Sequence, residues 1–289
     1  MPTYTALINP VAGGGHALRV WRPVADLLAS RGVEVSEVRT RSAQHSIDTA
    51  ADRAQRGETV IAVGGDGLVR DVAAGVFGSG SAMAIVPAGR GNDLARKLDL
   101  PTTTGALAAM LETGGTRRVD VIEAAGQVVL GNVYVGIDSV ATEAINNTRW
   151  LPGRLVYRLA PVGAILRWQP PEFRLSTPEW SLKRTLHQVV VANSGRYGYG
   201  LNIVPSARMD DGTLDVLTVG NAPKRKVVRF INRAKTGRHV DSEEVEVRTT
   251  TEITLDADSA VPVHADGDYL ADLPVTIRLR PAALDLVVP

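Results

Sequence analysis

Four short apolar runs alternate with amphipathic segments along the first hundred residues. We predict that these runs are buried strands, at residues 5–8, 33–38, 59–63 and 82–87. The segments between them are predicted to be helices, at residues 17–31, 46–56 and 69–77. Alternation of this kind favours parallel strands joined by helical crossovers, so this half is predicted to be an α/β domain. The ligand of such a sheet lies beyond the carboxyl ends of its strands.

The pattern changes near Arg117, where short β-branched runs separated by turn residues take over. Such runs are typical of antiparallel sheets, and we predict strands at residues 127–134, 185–192, 214–219, 245–247, 252–256 and 275–279. Two helical segments interrupt them, at residues 155–166 and 224–234. We therefore predict two domains: an α/β domain over residues 1–118 and an antiparallel β-sandwich domain over residues 119–281. The last run, residues 282–289, could pair with either sheet, including that of the first domain.

Composition restricts the class of protein without pointing to a reaction. The 289 residues carry 32 basic and 31 acidic side chains, a net charge of +1, so no global field favours nucleic acid. Any attraction to phosphate therefore has to come from a local group of residues and not from the net charge of the chain. The chain has no cysteine, which excludes disulfides and thiolate metal sites and fits a reducing cytoplasm. We find no signal-peptide pattern and no apolar stretch of eighteen residues, and we expect a cytoplasmic protein.

Three glycine-containing turns follow three of the predicted strands. They span residues 9–15, 64–67 and 87–93. Glycine lets the backbone approach a phosphate closely, and helix N-termini present N–H groups to its oxygens. Each turn alone is weak evidence, because strand–glycine–helix turns are common for structural reasons. Together they predict a nucleotide site, although none is a Walker A loop or a Gly-x-Gly-x-x-Gly motif.

The second turn, Gly64-Gly65-Asp66-Gly67, resembles the GGDGT signature shared by diacylglycerol kinases, sphingosine kinases and NAD kinases. The first and third turns are similar to the companion motifs of the lipid-kinase branch. The resemblance extends over nearly the whole chain, because residues 193–200, 210–212 and 266–268 follow in the family's order. It implies an NAD-kinase-like α/β domain that binds ATP and a β-rich domain that binds the lipid. The lipid would be met peripherally, at the inner face of the membrane.

The resemblance also implies roles for individual residues. Those that would contact the ATP phosphates or lie beside them are Asn9, Gly13, Thr40, Gly64, Gly65, Asp66, Gly67, Gly89, Arg90, Asn92 and Asp93. Asp66, Asp93 and Asp268 would form a carboxylate network around a catalytic Mg²⁺, and Asp266 would accept the proton of the lipid hydroxyl. The structural alternative for Asp266 and Asp268 is a β-turn with solvated aspartates. Phosphoryl transfer suits the assigned residue types, since it needs Mg²⁺ and a carboxylate near the attacking hydroxyl.

A further turn, Asp210-Asp211-Gly212-Thr213, resembles a structural metal loop of bacterial members. The resemblance implies that Asp211 supplies a carboxylate to a structural Mg²⁺. Arg208 and Thr213 would supply backbone carbonyls. This metal would support the fold of the β domain and take no part in the reaction.

Five positions depart from the family pattern, and two of them, Arg70 and Asp71, replace the more usual Asn-Glu pair. Leu68 and Arg90 stand where threonine is usual, and Asp268 replaces a common glutamate. These departures leave three functions open. The first is an ATP- and Mg²⁺-dependent lipid kinase that phosphorylates the hydroxyl of diacylglycerol or a related lipid. The alternatives are an NAD kinase-like enzyme and a catalytically idle relative that binds nucleotide or lipid. An exposed sheet edge is compatible with a homodimer.

Two further groups of residues are candidates for a functional role. The five histidines lack metal-ligand spacing, so we predict that His16, His45, His187 and His239 lie at the surface, while His264 is a candidate substrate contact. A basic helical face is formed by Lys224, Arg225, Lys226, Arg229, Arg233 and Lys235. Such a face is usually only solvated, but in a lipid kinase it could attract anionic headgroups.

Overall fold

A computed structural model describes residues 3–147, 163, 165–198, 200–220, 222–223 and 226–289. The chain divides into two compact units. Unit 1 comprises Met1–Val121 and Arg280–Pro289, and unit 2 comprises Ile122–Leu279. No helix in the part of the chain that is described is long and apolar enough to cross a membrane.

Unit 1 is a parallel sheet whose strands are joined by helices. Its elements are β1 (Tyr4–Ile8), α1 (His16–Ser30), β2 (Val35–Arg39), α2 (Ala43–Gln55), β3 (Thr59–Gly64), α3 (Asp66–Val76), β4 (Ala82–Pro87), α4 (Asp93–Lys97), α5 (Thr104–Thr113) and β5 (Gly115–Ala124). Strands pair in the order β2-β1-β3-β4. The last part of the terminal strand β18 (Val275–Val288) joins this sheet parallel to β4, with Asp285 opposite Ala82.

The central strands of unit 1 are buried on both faces, as expected for a parallel sheet covered by helices. Residues Tyr4 to Ile8 and Val60 to Gly64 are all buried. Helices pack their apolar sides on this sheet, and Trp21 and Leu28 of α1 are fully buried. The layered arrangement leaves the turns after β1, β3 and β4 at the carboxyl edge of the strands, where a ligand of such a sheet is bound.

Unit 2 is built mainly from antiparallel strands. After β5 come β6 (Gln127–Val129), β7 (Asn132–Gly136), α6 (Ile137–Asn147), β8 (Glu172–Ser176), β9 (Ser181–Thr185), β10 (Gln188–Ala192), β11 (Arg196–Tyr197), β12 (Leu201–Asn202), β13 (Leu214–Val219), α7 (Val227–Ala234), β14 (Val245–Thr250), β15 (Glu252–Ala257), β16 (Pro262–Ala265) and β17 (Asp268–Asp272). One sheet has the order β14-β13-β10-β7-β16-β17. The first part of β18 pairs with β15, which pairs with β8, which pairs with β9.

The strand β7 shows how unit 2 places its core. Because successive side chains of a strand point to opposite faces, Val133 and Val135 join a core that also holds Phe173 of β8. Tyr134 lies on the other face and packs in a second cluster with Leu217 of β13. Two apolar layers therefore cover the two faces of the six-stranded sheet.

The predicted fold class, an α/β domain followed by an antiparallel β-sandwich, is confirmed. The strand predicted at residues 127–134 is wrong as one element, because Leu130 and Gly131 divide it between β6 and β7. The helix predicted at residues 69–77 begins earlier, at Asp66, since the polar signature itself forms its first turn. The helices α5 and α6 had no counterpart among the predicted elements. The helix predicted at residues 155–166 lies almost entirely outside the described residues.

Candidate active site

The three glycine turns of unit 1 lie against one another. A Cβ atom built on Gly89 would lie 2.4 Å from the Cα of Gly65, and one on Gly13 would lie 2.8 Å from the carbonyl oxygen of Ala88. Atoms cannot approach so closely without displacing the backbone, so only glycine fits at these two positions. The amide of Ala88 also donates to the carbonyl of Gly64, at 2.8 Å. We call Gly13, Gly65 and Gly89, with the turns that carry them, the glycine cluster.

Asp66 links the second and third turns. Its carboxylate Oδ2 accepts a hydrogen bond from the backbone N–H of Asn92, at 2.9 Å. Asn92 adopts a left-handed backbone conformation, with φ of 53°. Its side chain closes the turn, because Oδ1 accepts from the N–H of Gly89 at 2.9 Å and Nδ2 donates to the carbonyl of Gly89 at 3.1 Å. Asp66 is also the first residue of α3, where a negative charge is favourable.

Leu68 fills the place of the signature's threonine with an apolar contact. It is buried, and its Cδ2 atom would lie 2.9 Å from a Cβ built on Gly64. The leucine thus packs over the end of β3. At this position the turn gains packing and lacks the hydroxyl that the resemblance led us to expect.

The other residues predicted to bind nucleotide surround these turns. The Oδ1 atom of Asn9 accepts from the N–H of Val11 at 3.1 Å. The N–H of Thr40 donates to the carbonyl of Ile8 at 2.9 Å, and its Oγ1 hydroxyl donates to the same oxygen at 3.3 Å. Gly67 is exposed, and Arg90 is exposed at the tip of the third turn. All of the predicted nucleotide-binding residues therefore belong to unit 1.

The carboxylates of Asp66 and Asp93 in unit 1 both lie close to one point beside Gly91. A Cβ built on Gly91 would lie 2.9 Å from Oδ2 of Asp66 and 3.7 Å from Oδ2 of Asp93. Mg²⁺ is commonly held by one or two carboxylates together with waters and substrate phosphates, so this donor set fits the ion. No group of three or more histidine or acidic side chains that could hold a metal occurs among the described residues. Asp268, the third predicted member, is exposed and belongs to unit 2.

In unit 2, Asp266 and Gly267 form the turn of a two-residue β-hairpin. Both have positive φ, 48° and 96°, which matches a type I′ turn, and Asp-Gly is a favoured sequence for it. The turn joins β16 to β17, with Ala265 paired to Asp268. We call β16, this turn and β17 the Asp266 hairpin.

The carboxylate of Asp266 is held by backbone amides. Oδ2 accepts from the N–H of Gly131 at 3.0 Å, and Oδ1 accepts from the N–H of Asn132 at 2.8 Å. A Cβ built on Gly131 would lie 2.1 Å from Oδ1 of Asp266, so a side chain at residue 131 would displace the carboxylate. The turn is thus more constrained than the exposed β-turn that was the structural alternative.

A buried polar network fixes the segment that holds Asp266. Asn132 is fully buried, and its Oδ1 accepts from the N–H of Gly195 at 2.9 Å. Its Nδ2 donates to Ser194 Oγ at 3.1 Å and to the carbonyl of Arg196 at 2.8 Å. Asn193 donates from Nδ2 to the carbonyl of Leu130 at 2.9 Å. The motif at residues 193–200 was singled out in the sequence, whereas Gly131 and Asn132 had been assigned to a strand and were missed.

An aromatic stack lies beside the Asp266 hairpin. The rings of Tyr134 and Tyr197 are nearly parallel, with centroids 5.0 Å apart, and Tyr134 stacks on His264 at 5.9 Å. The hydroxyl of Tyr197 donates to Asp138. Sequence reasoning missed this stack, because no motif marks its members and their proximity depends on strand register.

Burial sets the protonation behaviour of the stack. Desolvation raises the pKa of the Asp138 carboxyl, although the hydrogen bond from Tyr197 partly opposes this. Desolvation also raises the pKa of Tyr134 and Tyr197, with nearby acidic groups adding to the effect. The pKa of His264 is lowered by burial.

Two of the four histidines predicted at the surface are buried, so that prediction was wrong for His187 and His239. His239 is fully buried because its ring contacts Phe230 edge-on, and its Nε2 lies 2.7 Å from the carbonyl of Ile203. His264 is also buried, at 2% exposure. His16 is exposed, as predicted, and His45 is partly exposed.

The predicted structural metal loop is an exposed turn that is closed by its own side chain. Oδ1 of Asp211 accepts from both the N–H and the hydroxyl of Thr213, each at 3.0 Å. Arg208 makes an ion pair with Asp210, with Nε 3.5 Å from Oδ1. The arrangement is that of an aspartate-closed turn, and it supplies one exposed carboxylate from Asp211.

Comparison with known families assigns both units. The model for the diacylglycerol kinase catalytic domain matches residues 3–124, and the model for the YegS C-terminal NAD kinase beta sandwich-like domain matches residues 131–288. Fold, glycine turns and these matches together define a kinase of the lipid-kinase type. The chain belongs to the diacylglycerol kinase-like lipid kinase family.

Individual relatives resemble the chain over most of its length. A diacylglycerol kinase of Mycobacterium tuberculosis (strain H37Rv) is 32% identical over 301 residues, covering 99% of this chain and 94% of the relative. The putative lipid kinase YtlR of Bacillus subtilis is 26% identical, covering 96% and 97%. A crystal structure of a putative diacylglycerol kinase from Bacillus anthracis str. Sterne matches the fold with a TM-score of 0.81 at 20% identity, covering 99% of this chain and 97% of that chain.

Proposed function

We propose that the protein transfers the terminal phosphate of ATP to the hydroxyl of diacylglycerol or a related lipid, in the presence of Mg²⁺. The glycine cluster is the observation that carries this proposal. Its turns lie close together beside the start of α3, whose first N–H groups have no partner within the helix and suit a phosphate. Membership of the lipid-kinase family supports the transferase class, and the name of the Mycobacterium tuberculosis relative supports diacylglycerol as acceptor.

In the proposed reaction, unit 1 binds the nucleotide and unit 2 activates the acceptor. Asp266 accepts the proton of the lipid hydroxyl as the oxygen forms its bond to the γ-phosphorus. The bond between that phosphorus and the bridging oxygen of ADP breaks, and ADP leaves with the electron pair. The products are ADP and the lipid phosphate. A carboxylate suits this role because it accepts a proton at the moment when the hydroxyl attacks.

Asp66 and Asp93 are the residues of unit 1 that would hold Mg²⁺, and Asp268 is assigned to the same network by resemblance. The ion would offset the negative charge of the phosphate oxygens. Asp66 also keeps the third glycine turn in place through its hydrogen bond to Asn92. The loss of Asp66 should therefore weaken nucleotide binding both through the metal and through the shape of the turn.

Labelled ATP separates the three functions considered. The protein is incubated with Mg²⁺ and either diacylglycerol in detergent micelles or NAD. Labelled phosphatidic acid supports the proposal, labelled NADP indicates an NAD kinase, and nucleotide binding without turnover indicates an idle relative. Removal of divalent metal with a chelator should abolish lipid phosphorylation.

Two variants test the assigned residues. Asp266→Asn should lower turnover by a factor of about 10² to 10⁴ while ATP affinity stays within a few fold. Asp272→Asn, an exposed aspartate of the same hairpin, is the control and should keep its rate. Asp66→Ala should lose metal-dependent ATP binding, measured by titration calorimetry with and without Mg²⁺. An Asp266→Asn protein that retains most of its rate would remove Asp266 from the reaction.

A further inference from the structure

The short helix α7 exposes apolar side chains on its outer side. Its inner side packs on unit 2, where Ala234 is fully buried and Phe230 contacts the same apolar cluster. Val228 and Ile231 point away from this cluster and remain 69% and 42% exposed. These positions are three residues apart and therefore lie side by side on the helix surface. They form an apolar pair that no described residue of unit 2 covers.

Basic residues surround this pair. Arg229 and Lys235 are exposed, and within the described part of the chain neither makes an ion pair. Lys226 and Arg233 are instead paired with acidic groups of the following segment. Between residues 223 and 244 the sequence has seven basic and three acidic residues, a net charge of +4, whereas the whole chain carries +1. This stretch of the sequence is therefore more basic than the chain as a whole.

Exposed apolar side chains within a basic surface fit one kind of partner. Interfacial helices bury their apolar residues at the boundary between headgroups and acyl chains while Lys and Arg contact anionic lipids. We propose that the outer face of α7, formed by Val228, Arg229, Ile231 and Lys235, docks on a bilayer that contains anionic phospholipid. This inference rests on the proposed function, since a lipid kinase has to meet its acceptor at a membrane.

Other occupants fit the same surface less well. A second copy of the chain docked symmetrically would bring two regions of charge +4 together, and like charges oppose that contact. Nucleic acid would use the basic residues but would leave Val228 and Ile231 in water. A bilayer satisfies both features, because it offers negative headgroups above an apolar layer.

Vesicle co-sedimentation without ATP or diacylglycerol tests the inference. We expect binding to vesicles of equal parts phosphatidylglycerol and phosphatidylcholine, and little binding to phosphatidylcholine alone. Arg229→Gln combined with Lys235→Gln should reduce the partition coefficient about 20- to 30-fold, since each charge near an anionic surface is worth roughly fivefold. Arg22→Gln combined with Arg56→Gln removes the same charge from exposed sites of unit 1 and should bind within twofold of the unchanged protein.

The apolar pair is tested by a substitution that keeps the charge. Val228→Ser combined with Ile231→Ser should weaken vesicle binding several-fold, and the remaining binding should be more sensitive to salt. Because both residues are exposed, the melting curve should not change. Undiminished binding of this variant would overturn the docking role of the apolar pair.

A fluorescent label reports the position of the helix directly. The chain has no cysteine, so Val228→Cys carries an environment-sensitive dye at one site, and Arg22→Cys is the matched control. Addition of anionic vesicles should shift the emission to the blue at residue 228 only. If the protein co-sediments with vesicles but the spectrum at residue 228 does not change, another surface docks on the bilayer. If the emission shifts when nucleic acid or more protein is added, that molecule and not the bilayer binds the outer face of α7.

The same variants separate this inference from the proposed function. Phosphorylation of a short-chain diacylglycerol in detergent does not require a bilayer, so the α7 variants should keep their turnover there. If the unchanged protein phosphorylates no lipid but still binds anionic vesicles through α7, the proposed function fails and the docking surface stands. The opposite result, turnover without vesicle binding, overturns the docking surface alone.

Discussion

The glycine cluster of unit 1 and the Asp266 hairpin of unit 2 place their polar groups in different ways. In the glycine cluster, the absence of side chains brings three backbone turns together, with Gly65 against Gly89. In the hairpin, a buried network of amides and asparagines holds one carboxylate, with Asn132 at its centre. In the first arrangement the N–H groups at the start of α3 have no partner within the helix and can meet a ligand, whereas the second uses N–H groups to fix a side chain.

This difference has consequences for how each region tolerates change. A backbone contact such as that of Gly65 with Gly89 cannot be relieved by rotating a side chain, so an added methyl group has to move the turns. The position of the Asp266 carboxylate depends instead on a network of hydrogen bonds. The loss of one side chain of this network leaves buried polar groups without partners. We therefore expect substitutions in the glycine cluster to affect nucleotide binding, and substitutions around Asp266 to affect turnover.

The largest effect is expected from Gly131→Ala. The new methyl carbon would lie 2.1 Å from Oδ1 of Asp266. This overlap would displace the carboxylate from its hydrogen bonds with the backbone amides. Turnover should fall by a factor of about 10² to 10⁴, similar to the loss of the carboxylate itself, while ATP affinity is unchanged. Steady-state kinetics and nucleotide titration measure the two effects. Gly115→Ala is the control, because a Cβ there meets nothing within 4 Å.

Gly89→Ala should affect nucleotide binding and stability instead of turnover. A methyl group 2.4 Å from the Cα of Gly65 has to separate two glycine turns, and overpacking of this kind costs about 1–3 kcal/mol of the free energy of unfolding. ATP affinity should fall more than tenfold. Chemical denaturation and calorimetry provide the readouts. Gly105→Ala, at an unobstructed site in α5, should leave stability unchanged or raise it slightly. Equal ATP affinity in Gly89→Ala would argue against the glycine cluster as a phosphate site.

The glycine cluster and the Asp266 hairpin also differ in how much of each could be predicted from the sequence. Turns rich in glycine are visible because glycine after a strand is a local signal, and the resemblance to known kinases rests on them. The contact between Gly65 and Gly89 is not local, since it depends on the pairing of β3 with β4. Asp266 was found through its Asp-Gly turn and its family order. The backbone amides of Gly131 and Asn132 that hold its carboxylate were missed, because an apolar run predicted a continuous strand there.

Burial of polar residues was the property that the sequence indicated least. His239 stands in a segment without an apolar period, and its burial follows from packing against Phe230. His187 falls within the strand predicted at residues 185–192, but it lies just before β10, and the prediction placed it at the surface although tertiary packing buries it. Asp138 lies near the start of α6, a helix that was not predicted, and its partner Tyr197 is 59 residues further along the chain. The β-sandwich class itself could be predicted, since alternation of β-branched runs and turns is a property of each strand and not of its partners.

Asn132→Ala tests whether the network around Asp266 is structural as well as functional. The substitution removes one acceptor and two donated hydrogen bonds inside unit 2 and leaves the N–H of Gly195 buried without a partner. We expect a loss of about 1–3 kcal/mol in the free energy of unfolding, together with lower turnover. Asn202→Ala, a partly exposed residue of β12, is the control. A stable variant with full activity would separate Asn132 from the positioning of Asp266.

The smallest effect is expected from acid, and it should fall on unit 2. Burial lowers the pKa of His239 and of His264 in the folded protein, while unfolded histidine titrates near 6.5. Asp241 opposes the shift at His239 and Arg233 adds to it, and Glu143 and Asp268 oppose the shift at His264. The unfolded chain thus binds more protons below pH 6.5, so stability is present above that pH and is lost as the pH falls towards the folded values.

Unit 1 has no buried histidine among its described residues, because His16 and His45 retain contact with solvent. Amide hydrogen exchange, corrected for the intrinsic effect of pH, should therefore show reduced protection of β10, β13 and β16 at pH 5.5 relative to pH 7.5. Protection of β1 and β3 should change little. His239→Gln should reduce the pH effect in unit 2, since glutamine does not titrate. A uniform loss of protection in both units would mean that the acid response belongs to the chain as a whole and does not arise from these buried imidazoles.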